Sequence, residues 1–592
     1  AEAGELDVAW ARKVQHSDKM AELSREQKRD LRILDDEFGP AAAPSSSSRE
    51  PAAPPTADPD VTEDLRRYLE TAEQLRAATL ELGQDNYKRR RVEVSRDYHT
   101  RITDEERGER EERQAAIAKF EEFLTRYPYH PRFAPDALFR LAELYFERSG
   151  EEFASRVKEQ GAGGGSADLN TGIPNYDPSI RLYQRLLREY PNYRLSDGVH
   201  YLLGYCQGEM GRDAEARQAL LGLVCANKYR ALGEPAPWPG RKGKAELYQG
   251  CQPLRGESRF LAESWTRIGE VHFDRAELEP AVAAYSQVLP FRDSPYYDKA
   301  LYKLAWTFYR QDRFAEAVRR FDDLVVFADQ ASKPGAAAAS PDASRAQPTG
   351  GGGSSLRTEA IQYLALSFAE RDWDGDGKTD AEAGVPRLTR FYQGRESEPH
   401  VREVLIRLGD LWFDRTEYGR AAEAYQGAIA RAPLAADNPK LQGRVAQAFD
   451  RQRSFEQALR AREALARDYA PGSAWFDANR DNAAAIEAAT ELADASLMNA
   501  ITNRHASAQE LRQRALKAKD PKLLAQARAE YRQAAQSYAT FLKQHPAAKN
   551  AYEYSYLLAE SHYYGGEYAE AAAAYVRVRD ADAKGAHLED AA

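Results

Sequence analysis

LIRLGDLWFD at residues 405–414, followed closely by AAEAYQGAIARAP at 421–433, is the stretch whose reading decides the fold. Leu405, Leu408, Gly409 and Trp412 recur at three- and four-residue spacing, the period of one helix face. Ala421, Tyr425 and Ala428 do the same in the second run, and Pro433 closes it. Small residues at 409 and 421 let two antiparallel helices approach, while Trp412 and Tyr425 supply bulk for the space where one pair meets the next. The same grammar returns in AVAAYSQVLPFRDSP from Ala281, in QAAQSYATFLKQHP from Gln533, in Phe120, Phe123 and Pro128, and in Tyr183, Leu186 and Pro191. Trp265, Ile268, Gly269, Ala281 and Tyr285 repeat it well. Leu301, Leu304, Ala305, Phe308, Ala317 and Phe321 repeat it with alanine for glycine. Looser copies lie at 138–145, 203–216, 445–458 and 558–575.

This pattern resembles the tetratricopeptide repeat, most tightly at 405–433. The alanines at 281 and 317, and at 421 and 458, stand about 36 or 37 residues apart, a little over that family's period of about 34. The resemblance implies an all-α fold, a tetratricopeptide α-solenoid of antiparallel helix pairs in which no pair buries its apolar face alone. The expected organisation is an N-terminal helical segment at 1–39, a flexible Pro/Ala/Ser linker at 40–60 and a charged helix at 61–115. An array follows at 116–330, with insertions at 161–175 and 226–257. A low-complexity loop at 331–355, a second array at 356–470, and a long helix with further repeats at 471–592 complete the chain.

Composition limits the function classes. The 592 residues are 43% apolar and 30% charged, and 83 Lys and Arg against 93 Asp and Glu leave a net charge of −10, a poor balance for binding a polyphosphate backbone. KRRR at 88–91 reads as a solvated helix face, because the acidic DEERGEREE follows from 104. No apolar run is long enough to span a bilayer. HExxH, GxSxG and CxxC do not occur, and GxGxxG does not occur outside glycine linkers, so no enzyme is expected.

Asp372-Trp-Asp374-Gly-Asp376-Gly377-Lys378-Thr-Asp380-Ala-Glu382 is the sharpest local motif. Carboxylates at positions 1, 3 and 5, glycine at 6, a carbonyl at 7 (Lys378) and Asp380 at 9 make a loop for a hard cation. It resembles the DxDxDG calcium loops of EF-hand proteins but has Ala383 at position 12, so a structural Ca2+ of modest affinity is expected, closed by Glu382 or by Asp380 with water. Helices near 356–368 and 385–392 are expected to flank it. Gly377-Lys378-Thr379 is not a P-loop, since residue 372 is aspartate and the carboxylates repel phosphate.

Cys225 and Cys251 flank the 226–257 excursion and are the candidate disulfide. Three reduced thiols in a cytosolic protein remain the alternative, and Cys206 is expected to be buried beside Leu203 and Gly204. The repeat resemblance further implies a concave groove lined by first-helix residues: Phe139, Phe146, Tyr201, Tyr205, Phe273, Tyr302, Trp306, Tyr309, Phe413, Tyr556 and Tyr563. Among these fall the acids Glu143, Glu263, Glu270, Glu403, Asp410 and Glu560, so the expected partner is another protein, a peptide or helix with apolar anchors and Lys or Arg. FEEFLTRYP (120–128) and DALFRLAELYFE (136–147) look like envelope tetratricopeptide proteins of Gram-negative bacteria, outer-membrane assembly and gliding-motility components among them. That resemblance, the calcium-type loop, the candidate disulfide and an N-terminus without methionine, as after signal removal, suggest a periplasmic or outer-membrane-associated scaffold with a lipid anchor or membrane-protein partner. A cytoplasmic location, and a regulatory or substrate-presenting subunit of an envelope enzyme complex, are the alternatives.

Overall fold

The computed structural model describes residues 2–38, 59–162, 172–229, 237–331, 354–373, 377–380, 382–544, 550–581 and 586–591. Among them every regular element is a helix, and no helix is long and apolar enough to cross a membrane. The chain divides into two compact units, Ala1–Trp238 with Gly250–Ser264, and Pro239–Gln249 with Trp265–Ala592.

In the first unit α1 (Glu2–Phe38) runs antiparallel to α2 (Pro59–Arg126). Lys13 meets Glu109 at 3.6 Å, His16 meets Glu105 at 2.6 Å, and the Tyr98 hydroxyl donates to Asp30 at 2.6 Å. The boundary expected at 115 is absent: α2 is one helix of 68 residues that continues into the packed face of Ile117, Phe120 and Leu124, because no proline interrupts it. α3 (Ala134–Ala162) and α4 (Asp177–Glu189) form a pair around Leu138, Leu141, Tyr183 and Leu186. α5 (Ser196–Glu209) and α6 (Asp213–Val224) form the next pair, and the short α7 (Ala226–Tyr229) follows. Cys206 is buried on α5, and burial pushes its thiol up to about 12, which leaves it unreactive. Cys225 and Cys251 form a disulfide with Cα atoms 4.5 Å apart. Beside it Asn227 donates to the Gly250 carbonyl at 2.9 Å and accepts from the Gln252 amide at 2.9 Å.

In the second unit the helices alternate as first and second members of pairs: α8 (Leu261–Asp274, from Trp265 onward) with α9 (Leu278–Ser286), and α10 (Tyr297–Arg310) with α11 (Phe314–Ala331). Next come α12 (Ser354–Ala369) with α13 (Val385–Phe391), α14 (Pro399–Asp414) with α15 (Tyr418–Arg431), and α16 (Asn438–Arg451) with α17 (Phe455–Asp468). The short α18 (Ala474–Ala478) leads to long α19 (Ala483–Ala518) against α20 (Pro521–Gln544). α21 (Ala551–Gly565) with α22 (Tyr568–Ala581) and the terminal α23 (Leu588–Ala591) finish the unit.

The small residues stand where the sequence pattern requires them. A methyl group on Gly409 would lie 2.6 Å from the Tyr425 ring, and one on Gly269 would lie 2.4 Å from Tyr285. These two pairs are therefore each closed by a second-helix ring laid on the bare backbone of the first helix. The turns are equally uniform. Ala276, Asp312, Thr416 and Arg453 adopt φ of 57°, 58°, 62° and 62°. The following amides donate back into the first helix, Glu277 to His272 at 2.9 Å, Arg313 to Phe308 at 3.0 Å, Glu417 to Trp412 at 2.8 Å and Ser454 to Phe449 at 2.9 Å, which satisfies helix-end carbonyls. A β-branched residue is costly in that region. Thr416→Gly is expected to stabilise the α14–α15 pair by about 1 kcal/mol; slower amide exchange there checks it, and unchanged or faster exchange counts against it.

The middle of the 226–257 excursion is packed at Tyr248. Tyr248 is buried against Trp265, with ring centroids 5.1 Å apart. Its hydroxyl meets His272 Nε2 at 2.6 Å, and His272 Nδ1 meets Glu277 at 2.7 Å. All three are buried, so this relay anchors the segment and offers no route to a substrate.

Candidate interaction face

The first helices of the second unit present a row of rings and charges that joins each helix to the next. Between α8 and α10, Lys303 and Arg310 lie over the Phe273 ring at 5.4 and 4.8 Å. Between α10 and α12, the Tyr302 hydroxyl donates to Glu359 at 2.6 Å, and Trp306 and Tyr309 set their edges against Tyr363 at 5.0 and 5.7 Å. Between α12 and α14, Arg357 pairs with Glu403 at 2.8 Å and also with Asp329. Between α14 and α16, Arg444 pairs with Asp410 at 3.2 Å and lies over Phe413 at 4.9 Å. Phe273, Tyr302, Trp306, Tyr309, Tyr363 and Phe413 are all half-buried, leaving one side of each for a partner.

Two expectations change. Phe139 is not on an open face: it is 7% exposed and packs against Tyr183 and Tyr193 in the first unit's core. Nor are the acids at 403 and 410 left open to a basic partner. Glu403 and Asp410 are answered by Arg357 and Arg444, and Asp410 also accepts from the Tyr425 hydroxyl at 2.7 Å. Burial raises the Glu270 carboxyl above its ordinary range, against the opposing pull of nearby Lys303 and Arg267. The answering cations and Tyr363 escaped the sequence reading, because opposite charges and rings on neighbouring first helices are tens of residues apart in the chain. The remaining candidate rings have these neighbours. Tyr201 stacks on Phe260 at 4.5 Å and Tyr205 meets Phe146 edge-on at 5.7 Å in the first unit. In the C-terminal pair Tyr556 stacks on His587 at 3.9 Å, while Tyr563 stands exposed beside Tyr568.

Residues 136–193 and 299–326 match the tetratricopeptide repeat family model. These stretches coincide with α3–α4 and α10–α11. No protein of curated function matches the sequence. Among solved structures, the MamA protein is similar at 16% identity over 38% of this chain and 96% of its own, with a TM-score of 0.18. The C-terminal part of a tetratricopeptide repeat-containing protein from Cytophaga hutchinsonii is similar at 11% over 70% of this chain and 98% of its own, with a TM-score of 0.21. A human IFIT1 dimer is similar at 11% over 88% and 86%, with a TM-score of 0.19. Likenesses this low carry no argument about partner or activity.

The acidic loop lies between α12 and α13, the flanking helices expected for it. Asp374 and Asp376 lie outside the described residues. Asp372 accepts from the Gly377 amide at 2.9 Å, the bond between positions 1 and 6 that such a loop needs, and its other oxygen is occluded without a hydrogen bond. Lys378 is exposed. The two closing ligands proposed from sequence are differently engaged. Asp380 accepts from Arg387 at 2.9 Å and from the Trp373 amide at 2.9 Å, and Glu382 pairs with Arg390. Arg387 also donates to the Phe368 and Glu370 carbonyls and stacks over Trp373 at 4.4 Å, so a fixed cation already occupies the base of the loop.

A second cluster was not foreseen. Asp322, Glu398 and His400 bring one donor atom each within 4.8 Å of one another. Arg395 bridges Asp322 at 2.6 Å and Glu398 at 2.8 Å, and Tyr392 donates to Asp322 at 2.9 Å. With its charge met by a guanidinium, this cluster is a buried knot tying α11 to α14.

Proposed function

We propose that the chain is a non-catalytic tetratricopeptide scaffold of the bacterial cell envelope, periplasmic or outer-membrane-associated, which holds together proteins of an envelope machine such as those of motility or outer-membrane assembly. The observation that carries the interaction role is the continuous row of half-buried rings from Phe273 to Phe413 on successive first helices. Such a row suits a peptide or helix with apolar anchors and a mixed polar rim, since Glu403 and Asp410 beside it are already paired. The Cys225–Cys251 disulfide supports the extracytoplasmic location, because such bonds persist in oxidising compartments. The test is cross-linked capture from native membranes by the full chain and by Trp306→Ala/Tyr309→Ala. Envelope proteins are expected with the wild type, at least ~10-fold depleted with the variant, while amide protection of α10–α12 is retained. Equal capture by both, or recovery of cytosolic proteins alone, sinks the reading.

Calcium at 372–382 is part of the same proposal. Asp372 would hold the ion with its occluded oxygen, and Asp380 would exchange Arg387 for it. Titration calorimetry is expected to give a saturable signal at about millimolar calcium that Asp372→Ala abolishes. No heat from the wild type ends the idea.

A further inference from the structure

The buried face of α19 carries Ile501, His505 and Ala508 at spacings of four and three, so an imidazole stands where the helix otherwise offers apolar side chains. His505 is 7% exposed. From α20 the rings of Tyr531 and Tyr538 flank it, with centroids 5.7 and 5.9 Å away and planes steeply inclined to its own. From α21 the Ser561 hydroxyl meets its Nδ1 at 3.2 Å. Both tyrosines and Ser561 are buried as well, and Ile501, Tyr538 and Leu558 join the same three helices in one apolar cluster.

This imidazole has no carboxylate beside it among the described residues. Buried His272 has Glu277 at 2.7 Å and buried His400 has Asp322 at 2.9 Å, so each can hold a proton next to a counter-charge. The charged groups on the helices around His505 are engaged elsewhere. Arg504 pairs with Glu463 of α17 and with Glu530 of α20, and Asp450 of α16 pairs with Arg462. Glu560 of α21 accepts from Tyr575, Glu553 of α21 meets His587, and Arg512 lies over the Tyr564 ring. Tyr531 and Tyr538 stay neutral, because burial pushes their hydroxyls above the ordinary tyrosine range. A proton on His505 would therefore make a buried cation with no anion to meet it.

We infer that His505 is an acid-operated latch: neutral, it closes α19, α20 and α21 on one another, and in mild acid its protonation loosens them. Burial holds its folded-state value below the unfolded value of about 6.5. The opened state then binds more protons, so the stabilisation is complete above the unfolded value and is lost as pH falls below it. Amide exchange of the full chain from about pH 7 to about pH 5, corrected for the intrinsic pH dependence of exchange, is the test. Protection in α19–α21 is expected to fall by up to ~10-fold per pH unit below about 6.5. His505→Gln cannot charge and should hold its protection steady across that range. The wild-type imidazole, recognised by NMR from its contacts with Tyr531 and Tyr538, should stay neutral at about pH 6.5. An imidazole already charged there overturns the proposal, and so does the same acid loss of protection in His505→Gln.

Discussion

Gly384→Ala is expected to unfasten the centre of the second unit, at a cost of ~3–5 kcal/mol. Gly384 opens α13 with φ of 92° and ψ of −124°, a conformation that a side chain strains. A methyl group there would sit 1.9 Å from the Trp412 ring. Trp412 is 1% exposed, so it has no direction in which to yield. The amide of Gly384 also donates to the Phe368 carbonyl at 2.8 Å, which ties the acidic loop to the end of α12. Because a stacked array need not unfold as one step, local amide exchange over α12–α15 is the proper measurement. Protection should fall across all four helices. Gly384→Ala/Trp412→Leu should recover the part due to the clash and leave the part due to φ. Unchanged exchange in the single variant would show that the ring moves aside at little cost.

The second large effect is expected at Asp322. Its carboxylate, buried on α11, accepts from the Tyr392 hydroxyl and His400 Nε2, each at 2.9 Å, and from Arg395 at 2.6 Å. Asp322→Ala strands all three donors and is expected to cost ~3–5 kcal/mol. The exposed neighbour Asp323, paired with Arg320, should cost less than about 1 kcal/mol when changed to alanine. Burial alone would raise the Asp322 carboxyl, but the bonds from His400 and Arg395 outweigh it and hold the group below the ordinary carboxylate range. The folded state thus prefers the ionised form, so the stabilisation is present above the unfolded value of about 4 and is lost as pH falls through the lower folded value. The protection gap between wild type and Asp322→Ala over α11–α14 should therefore narrow in that acid window. A gap independent of pH would assign the loss to packing and not to the carboxylate.

Both positions show where reading the chain stopped. Trp412 was legible as a member of the repeat, but Gly384, the residue its ring needs, belongs to the preceding pair, 28 positions upstream, and no local period marks it. Asp322 lies more than seventy residues before Glu398 and His400, and only the crossing of α11 against α14 unites them. The acidic loop was legible as a motif and in its flanking helices, while the arginine at its base was not, because Arg387 reaches it from α13. The rings of the interaction face were legible one by one. Their pairing with Tyr363, Lys303 and Arg444 was not.

Periodicity and residue size, both local properties, determined by themselves that this chain is helical, that its helices pair, and that glycine or alanine sits where a second-helix ring crosses the first. They could do so because a face recurring every 3.6 residues and a small residue opposite a large one are written within some thirty consecutive positions. The tertiary structure alone decided which carboxylate meets which arginine, which rings keep an open side, and that Phe139 and Tyr248 are core. Those outcomes depend on how successive pairs stack, and stacking joins side chains through space that the order of the chain does not record.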